Sequence, residues 1–389
     1  MRVRVVGCLL LVLMPLGANG YEPVTVVAHR VDGSELSGTI ESWSVPGKLA
    51  IRPASADPVE VAAADLDSVE FRDAKLEAPD GTWVVRLNDG STWFGEITGG
   101  DEQQLVLQHA TVGPQTIPID AVASVVRRED RTRRLPAASD EDVLLLANGD
   151  TVRGTMSGAT QDGLALSVGA ASRRFTWKDV RELSLAQTRP SRLEGISAIV
   201  FLNDGSRFRA ISLNWRDGTF DLAPAGGKPL AVRPGLIAAI EIAGGRRTWL
   251  GDIKPARYQS TPFFSKTWPL RVDENVMGGP LTIGGRVYRH GLGLHAACTA
   301  SWELGGKYQR FRALVGIDDS AGSAADADVL VSLDGRVVVE HRHLVTNAPT
   351  KSIDIDATGA KELVIEVGFG RGGHVQDRID LVNAALIAK

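Results

Sequence analysis

The first two thirds of the chain repeat one pattern four times. Each copy opens with an alternating apolar run that ends at an Asp-Gly or Asn-Gly pair, and the pairs recur at intervals of about 57 residues. Such pairs between apolar runs predict tight β-hairpins, because both of their residues adopt positive φ at little cost. The four pairs are Asp32-Gly33, Asp89-Gly90, Asn148-Gly149 and Asp204-Gly205.

A small residue follows each turn glycine at a fixed distance. These residues are Gly38, Gly95, Gly154 and Ala210. A small residue at a fixed place in a strand predicts a bend or a close approach of two backbones. Further apolar runs complete each copy, so each one predicts about five short strands that curl into a small barrel. Because a unit of this size buries little surface alone, we expect neighbouring units to pack together.

The pattern gives a domain organisation. We predict β-barrel repeats at residues 21–74, 81–130, 140–186 and 195–245, followed by a separate domain at 250–389. The repeats resemble Sm-like and SH3-like barrels, most clearly where Leu87-Asn-Asp-Gly90 is followed by Ile117-Pro-Ile-Asp-Ala-Val122. Sm proteins bind RNA. This chain has a formal net charge of −4 and no face rich in Lys and Arg, so we predict no nucleic-acid partner.

The N-terminus has the features of an export signal. Arg2 and Arg4 precede an apolar run from Val5 to Leu16, and the small residues Ala18-Asn19-Gly20 follow. We therefore predict a signal peptide at residues 1–20 and a secreted or periplasmic protein. The run is too short to span a bilayer, and no other apolar stretch reaches that length, so we predict no transmembrane segment in the mature chain.

Four motifs in the last third occur in the order and spacing of a known family. They are Leu281–His295, which ends in Gly291-Leu-Gly-Leu-His295, then Trp302–Phe311, Val315-Gly-Ile-Asp-Asp319 and Asp377-Arg-Ile-Asp-Leu-Val-Asn-Ala-Ala-Leu386. This region resembles the NPCBM family, also known as carbohydrate-binding module family 51, which is found beside glycoside hydrolases. The resemblance implies a jelly-roll β-sandwich of the galactose-binding-like type and a carbohydrate partner. One departure is Leu381-Val382, where the family tends to show a tryptophan.

Sugar recognition requires an apolar platform for the C–H face of a pyranose and fixed polar groups for its hydroxyls. The platform candidates are Trp268, Phe263, Phe264 and Tyr288. Trp268 is favoured because Pro269 places it in a loop, whereas Trp302 and Phe311 follow strand patterns and are assigned to the core. The polar candidates on loops are Asp273, Arg371, His374, Asp377 and Asp380.

Other motif residues are given structural roles. Gly291 and Gly293 predict a tight bend that His295 holds through a backbone carbonyl, and Asn383 belongs to the closing Asn-Ala motif. We predict no metal and no cofactor, since His341 and His343 alone make a poor metal site. A structural calcium is the alternative, because carboxylates cluster around one turn. These carboxylates are Asp318, Asp319, Asp326 and Asp328.

The chain shows no motif of a catalytic domain, such as Gly-x-Ser-x-Gly or His-Glu-x-x-His. The sequence therefore favours a non-catalytic, exported, all-β protein whose C-terminal module binds a neutral, galactose-type glycan and whose repeats act as a scaffold. Two alternatives stay open. One is an envelope protein that binds other envelope proteins through a module that has lost sugar binding, and the other is a glycoside hydrolase with an unrecognised site.

Overall fold

Strands account for most of the regular structure in the described part of the chain. The computed structural model describes residues 22–130, 140–186, 194–261, 267–371 and 373–389. These residues form β-strands and short 3₁₀ helices, with no α-helix among them, so the predicted all-β fold is confirmed. The chain divides into two units, Met1–Gly245 and Arg246–Lys389. The predicted signal peptide at residues 1–20 and the candidates Phe263 and Phe264 lie outside the described residues.

The N-terminal unit contains four groups of five strands, one group in each predicted repeat. The first group is β1 (Thr25–Arg30), β2 (Glu35–Val45), β3 (Lys48–Arg52), β4 (Val59–Ala62) and β5 (Leu66–Phe71). The second is β6 (Trp83–Leu87), β7 (Thr92–Gly100), β8 (Gln104–His109), β9 (Gly113–Pro118) and β10 (Val122–Arg127). The third is β11 (Asp142–Leu146), β12 (Thr151–Thr160), β13 (Gly163–Val168), β14 (Ala171–Thr176) and β15 (Val180–Ser184). The fourth is β16 (Ser197–Leu202), β17 (Arg207–Arg216), β18 (Thr219–Pro224), β19 (Leu230–Val232) and β20 (Ile237–Ala243).

A 3₁₀ helix precedes the fifth strand of every group. These helices are Ala63–Asp65, Ile119–Ala121, Trp177–Asp179 and Pro234–Leu236, and a further one, Arg128–Asp130, follows β10. In each group the first strand pairs antiparallel with both the second and the fifth strand, which curls the group towards a barrel. The specific likeness to Sm-like and SH3-like barrels stays a prediction.

Glycine permits both the hairpins and the curvature. The turn glycines Gly33, Gly90, Gly149 and Gly205 have φ of 88°, 88°, 92° and 84°, as predicted, whereas the Asx residue before each of them does not have positive φ. The small residues of the second strands lie against the third strands. A Cβ on Gly95, for example, would lie 2.4 Å from the Gln108 carbonyl oxygen. The register of each second strand shifts soon after this position, which gives the strand its bend.

The groups associate in pairs through their fifth strands. β5 of the first group pairs with β20 of the fourth, and β10 of the second pairs with β15 of the third. Val69 faces Ile240 at the centre of one pair, and Val125 faces Leu183 at the centre of the other. The expectation that neighbours pack together therefore holds for the second and third groups, whereas the first group pairs with the fourth. One apolar core runs through all four groups.

The C-terminal unit begins at Arg246, ahead of the predicted boundary at 250, because its first strand pairs with its last. Its strands are β21 (Arg247–Trp249), β22 (Arg257–Ser260), β23 (Arg271–Val272), β24 (Leu281–Ile283), β25 (Arg286–Tyr288), β26 (Gly291–His295), β27 (Cys298–Glu303), β28 (Tyr308–Ile317), β29 (Asp326–Leu333), β30 (Arg336–Val345), β31 (Lys351–Asp356), β32 (Glu362–Phe369) and β33 (Arg378–Ala388). A 3₁₀ helix spans Leu250–Asp252.

Two antiparallel sheets form the body of this unit. One sheet has the order β23-β26-β33-β28-β31, with β21 also paired to β33, and the other has the order β22-β27-β32-β29-β30. Strands β24 and β25 form a separate hairpin. Trp302 and Phe311 are fully buried in the core of the unit, as their strand patterns predict. The predicted β-sandwich is confirmed. Among the described residues no helix has the length and apolar character needed to cross a bilayer.

Candidate functional site

Polar side chains gather where β29 begins, β30 ends and β33 begins. The Asp377 carboxylate accepts a hydrogen bond from the Asp326 backbone N–H at 3.0 Å. The Asp326 carboxylate lies 3.1 Å from His343 Nδ1 and accepts a hydrogen bond from the Arg371 backbone N–H at 3.2 Å. His374 follows in the same loop. We call these five residues the loop-end site. It contains three residues predicted to bind sugar, Arg371, His374 and Asp377, and two, Asp326 and His343, that the sequence analysis considered only as metal ligands.

The two carboxyl groups of this site have opposite electrostatic environments. Burial, opposed by the hydrogen bond from the Asp326 backbone and aided by the negative charge of Asp326, raises the pKa of Asp377 to about 6. The Asp377 side chain has no exposed surface, and its Oδ2 has no hydrogen-bond partner among the described residues. Although desolvation opposes it, hydrogen bonds from His343 and Arg371 lower the pKa of Asp326. Asp326 is therefore the carboxylate that stays charged at neutral pH.

Trp268 lies at the margin of this region in a covered position. Its ring is parallel to the His295 imidazole, with 4.6 Å between the ring centroids and 3° between the planes. His295 is buried, and its Nδ1 lies 2.6 Å from the carbonyl oxygen of Ala296, whose N–H donates to the Asp377 carbonyl. One face of the Trp268 ring is thus occupied by the protein. Tyr288, another platform candidate, is buried beneath the β24–β25 hairpin.

Phe369 is an aromatic residue that the sequence analysis missed. It ends β32, 39% of it is exposed, and its ring meets the His374 ring edge to face with 6.5 Å between centroids. The strand pattern predicts that Phe369 is buried, because it continues an alternating series of residues that all point into the core. These residues are Leu363, Ile365 and Val367. β32 extends past the end of that core, so the next residue of the same parity is exposed.

Asp380 does not belong to the loop-end site. The prediction placed it on a loop, but it lies within β33 with no exposed surface. Its Oδ2 and the Oδ2 of Asp318 both accept the Thr282 N–H, at 3.1 and 3.3 Å. Burial and the adjacent Asp318 raise the pKa of Asp380 to about 9, so the pair shares a proton at neutral pH. Asp380 therefore anchors the β24–β25 hairpin.

Asp273 is likewise separate from the loop-end site. It follows β23 with φ of 56°, and its Oδ1 accepts the Gly291 N–H at 3.0 Å. Its Oδ2 lies 3.6 Å from His290 Nδ1. His290 in turn stacks on Trp249, with 4.4 Å between the centroids. These contacts give Asp273 a role in holding the chain before β26.

The tight bend predicted at Gly291 and Gly293 is wrong. Both glycines lie in the extended strand β26 and are buried, and their role is to permit close approach. A Cβ on Gly293 would lie 2.4 Å from the Glu274 carbonyl oxygen, and one on Gly291 would lie 2.5 Å from that of Leu381. Asn383 has φ of 49° within β33 and donates its N–H to the His290 carbonyl.

The four aspartates considered for calcium do not form one group. Asp318 pairs with Asp380, and the Asp319 carboxylate accepts the N–H groups of Gly284 and Gly285 at 2.8 Å each. Asp326, Asp328 and His343 do place one ligand atom each within 4.8 Å of one another. Asp328 already pairs with Arg342 at 2.6 Å, so ordinary polar contacts account for this trio. Calcium binding stays a prediction.

The N-terminal unit contains a buried cluster of His109, Asp204 and Ser206, which we call the His109 cluster. His109 Nε2 lies 3.0 Å from both Ser206 Oγ and Asp204 Oδ2. His109 Nδ1 accepts hydrogen bonds from the N–H groups of Thr111 and Val112. In a catalytic triad the serine and the carboxylate contact different ring nitrogens. This cluster therefore joins the second group of strands to the fourth and has no hydrolytic geometry.

Comparison with known proteins agrees with the motifs of the C-terminal unit. Residues 246–387 match the family described as NPCBM/NEW2 domain. A proposed endo-alpha-N-acetylgalactosaminidase from Renibacterium salmoninarum is 29% identical over 110 residues, which cover 28% of this chain and 7% of that protein. The chain thus spans a small fraction of the length of this relative.

Solved structures of carbohydrate-binding modules are also similar to the chain. A CBM51 module from Clostridium perfringens, in complex with methyl-galactose, is 22% identical with a TM-score of 0.33 and covers 36% of this chain and 99% of that one. The tandem CBM51 modules of a family 98 glycoside hydrolase from Streptococcus pneumoniae are 11% identical with a TM-score of 0.33 and cover 96% of this chain and 98% of that one. On the match over residues 246–387, the C-terminal unit of this chain is an NPCBM/NEW2 domain.

Proposed function

We propose that this protein is an exported, non-catalytic carbohydrate-binding protein whose C-terminal domain binds a neutral glycan of the galactose type. The observation that carries the proposal is the NPCBM/NEW2 match over residues 246–387, since carbohydrate-binding modules give that family its name. The methyl-galactose complex of the Clostridium perfringens module motivates the choice of sugar. Residues 1–20, with the features of a signal peptide, support export.

The chemistry of the loop-end site suits a neutral sugar. Asp326 offers a charged acceptor, and Arg371 and His374 offer donors on an exposed loop. Fixed polar groups of both kinds can pair with the hydroxyls of a pyranose, and leaving them unpaired discriminates against other ligands. The acidic members of the site disfavour polyanionic glycans. A shallow site of this kind corresponds to a dissociation constant of ~10⁻⁴–10⁻³ M, or about 4–5.5 kcal/mol.

The four groups of strands serve, in this proposal, as a scaffold that presents the C-terminal domain. Some of their buried polar residues join one group to another, as in the His109 cluster. Leu381 and Val382, the departure from the family pattern, are both fully buried. The position at which the family tends to show a tryptophan therefore lies in the core. The absence of an aromatic ring there does not argue for loss of sugar binding.

The test is a glycan array probed with the full-length mature chain, followed by calorimetry on the best sugars, including methyl-galactoside and N-acetylgalactosamine. We expect weak, saturable binding of terminal galactose-type sugars. An array without any bound glycan would overturn the proposal and favour an envelope protein that binds other proteins.

A second candidate is a glycoside hydrolase. The observation that favours it is the pair Asp326 and Asp377, since carboxyl groups with pKa values driven apart are the usual acid and base of these enzymes. The complete burial of Asp377 weighs against direct contact with a substrate. Incubation with a panel of aryl glycosides tests this candidate. Release of the aryl group by wild type, together with no release by Asp326→Asn, would establish it.

A further inference from the structure

We infer that Phe369 is the apolar platform of the loop-end site, the surface against which the C–H face of the sugar stacks. The inference rests on the proposed function and specifies which aromatic residue provides the apolar contact with the sugar. Phe369 takes the role of apolar platform that the sequence analysis gave to Trp268.

Phe369 is exposed beside the polar residues of the loop-end site. Phe369 pairs with Ala327, the residue next to Asp326, and its ring lies at the end of the sandwich with 39% of the residue exposed. Val375, in the loop that contains Arg371 and His374, is 44% exposed. An exposed aromatic ring beside fixed polar groups is the composition of a sugar site, because one face stays apolar while the margin supplies hydrogen bonds.

Neighbouring contacts hold the Phe369 ring in place. The His374 ring packs against Phe369 at an interplanar angle of 85°, and this contact restrains the phenyl ring. Gly370 follows directly and donates its N–H to the Asp326 carbonyl at 2.8 Å. A Cβ on Gly370 would lie 2.0 Å from Asp326 Oδ1, so this position requires glycine for the close approach. A ring that is already oriented loses less conformational entropy when the sugar binds.

The ring of Trp268, the aromatic residue that the sequence favoured, is partly covered by the protein. Trp268 has one face against His295 at 4.6 Å, and its backbone carbonyl accepts the Tyr258 hydroxyl at 2.6 Å. These contacts build Trp268 into the wall of the domain. A sugar could use only the remaining part of the Trp268 surface, whereas Phe369 is 39% exposed and contacts His374 of the loop-end site.

The experiment compares full-length variants by calorimetry with the sugar that binds best to the wild-type chain. We expect Phe369→Ala to weaken binding at least tenfold, and Phe369→Trp to retain it because a larger ring also stacks. Val338→Ala is the matched control, since Val338 is 40% exposed on β30 and lies outside the site. It should bind as the wild type does.

A second measurement avoids dependence on the folding of the variants. In wild-type protein with labelled phenylalanine, the ring resonance that Phe369→Trp removes should shift on addition of sugar. Binding by Phe369→Ala equal to that of wild type, or a Phe369 resonance that does not move, would overturn the inference while leaving the proposed function intact. The proposed function and the inference would both be overturned if the wild-type chain bound no sugar and its Phe369 resonance shifted only with a protein partner.

Discussion

At the scale of single residues, the C-terminal domain depends on buried acids whose protonation is set by their surroundings. Asp318 accepts hydrogen bonds from the Asn275 amide and the Ser320 N–H. Asp380, beside it, retains a proton that it can donate to Asp318. Two adjacent carboxylates in a buried site cannot both be charged without a large cost. The hairpin above them therefore requires a protonated Asp380.

This pair predicts how stability depends on pH. The pKa of Asp380 is about 9 in the folded protein, above its ordinary value, so its contribution is complete at acid pH and is lost as pH rises towards 9. Asp380→Asn keeps a donor for Asp318 and removes the titration. We expect the variant to be more stable than wild type at pH 9 by at least ~1 kcal/mol. Thermal unfolding at a series of pH values measures this.

The control for this prediction is Asp354→Asn, which removes an exposed carboxylate paired with Arg310 and should leave the alkaline part of the curve unchanged. Parallel pH curves for wild type and Asp380→Asn would contradict the shared proton.

The close approach at Gly293 leads to a second prediction. A side chain there would meet the backbone of Glu274 and Asn275, which cannot rotate away as a flexible side chain can. Gly293→Ala should therefore destabilise the domain by ~1–3 kcal/mol. Gly368→Ala is the matched strand control, since the nearest atom to its Cβ would be 3.9 Å away. Equal unfolding midpoints for the two variants would show that β26 can move to accommodate the methyl group.

At the scale of elements, local patterns predict the strands well and their partners poorly. The Asx-Gly pairs predict the first hairpin turn of each group, because the positive φ of the glycine is a local property of that residue. The partner of each fifth strand depends on contacts between distant parts of the chain, which periodicity does not contain. The same limit explains Asp380, whose polar character suggested a loop although its position in β33 places it beside Asp318.

The turns themselves are testable. Gly90 has φ of 88°, and a Cβ on it would meet no atom within 4 Å, so a substitution there changes backbone strain without a clash. Gly90→Val should destabilise the second group by ~1–3 kcal/mol, because a β-branched residue is strained at positive φ. Gly90→Asn should cost less, since asparagine tolerates this region. Denaturant unfolding in which both variants match wild type would show that the turn adjusts its conformation.

At the scale of the whole molecule, the clearest organisation is within the N-terminal unit, where the pair formed by the first and fourth groups meets the pair formed by the second and third. The His109 cluster provides one polar connection. Trp93 of the second group adds an apolar one by stacking on Phe208 of the fourth, with 4.6 Å between centroids. Ser91 contributes a third, because its hydroxyl accepts the Arg209 N–H at 3.0 Å.

The cluster predicts acid sensitivity of this connection. Although desolvation opposes it, hydrogen bonds from His109 and Ser206 lower the pKa of Asp204. A lowered pKa contributes stability that is present above the ordinary value and is lost as pH falls through the folded value. His109→Leu removes the donor and leaves Asp204 buried, so it should destabilise the unit by ~2 kcal/mol or more at pH 7.

His109→Gln, which can still donate a hydrogen bond, is the milder comparison for the leucine variant. Denaturant unfolding at pH 4 and pH 7 measures the effect, and the difference between His109→Leu and wild type should shrink at the lower pH. A leucine variant as stable as wild type at pH 7 would refute the connecting role.

The pairing of the first group with the fourth has a consequence for synthesis of the chain on the ribosome. β5 is synthesised about 170 residues before β20, the strand that pairs with its free edge. β10 is synthesised only about 60 residues before its partner β15. The inner pair can therefore assemble first, while the outer group has an uncovered edge for longer. An uncovered strand edge pairs readily with other chains. Truncated chains that end after the third group should thus associate with one another through β5.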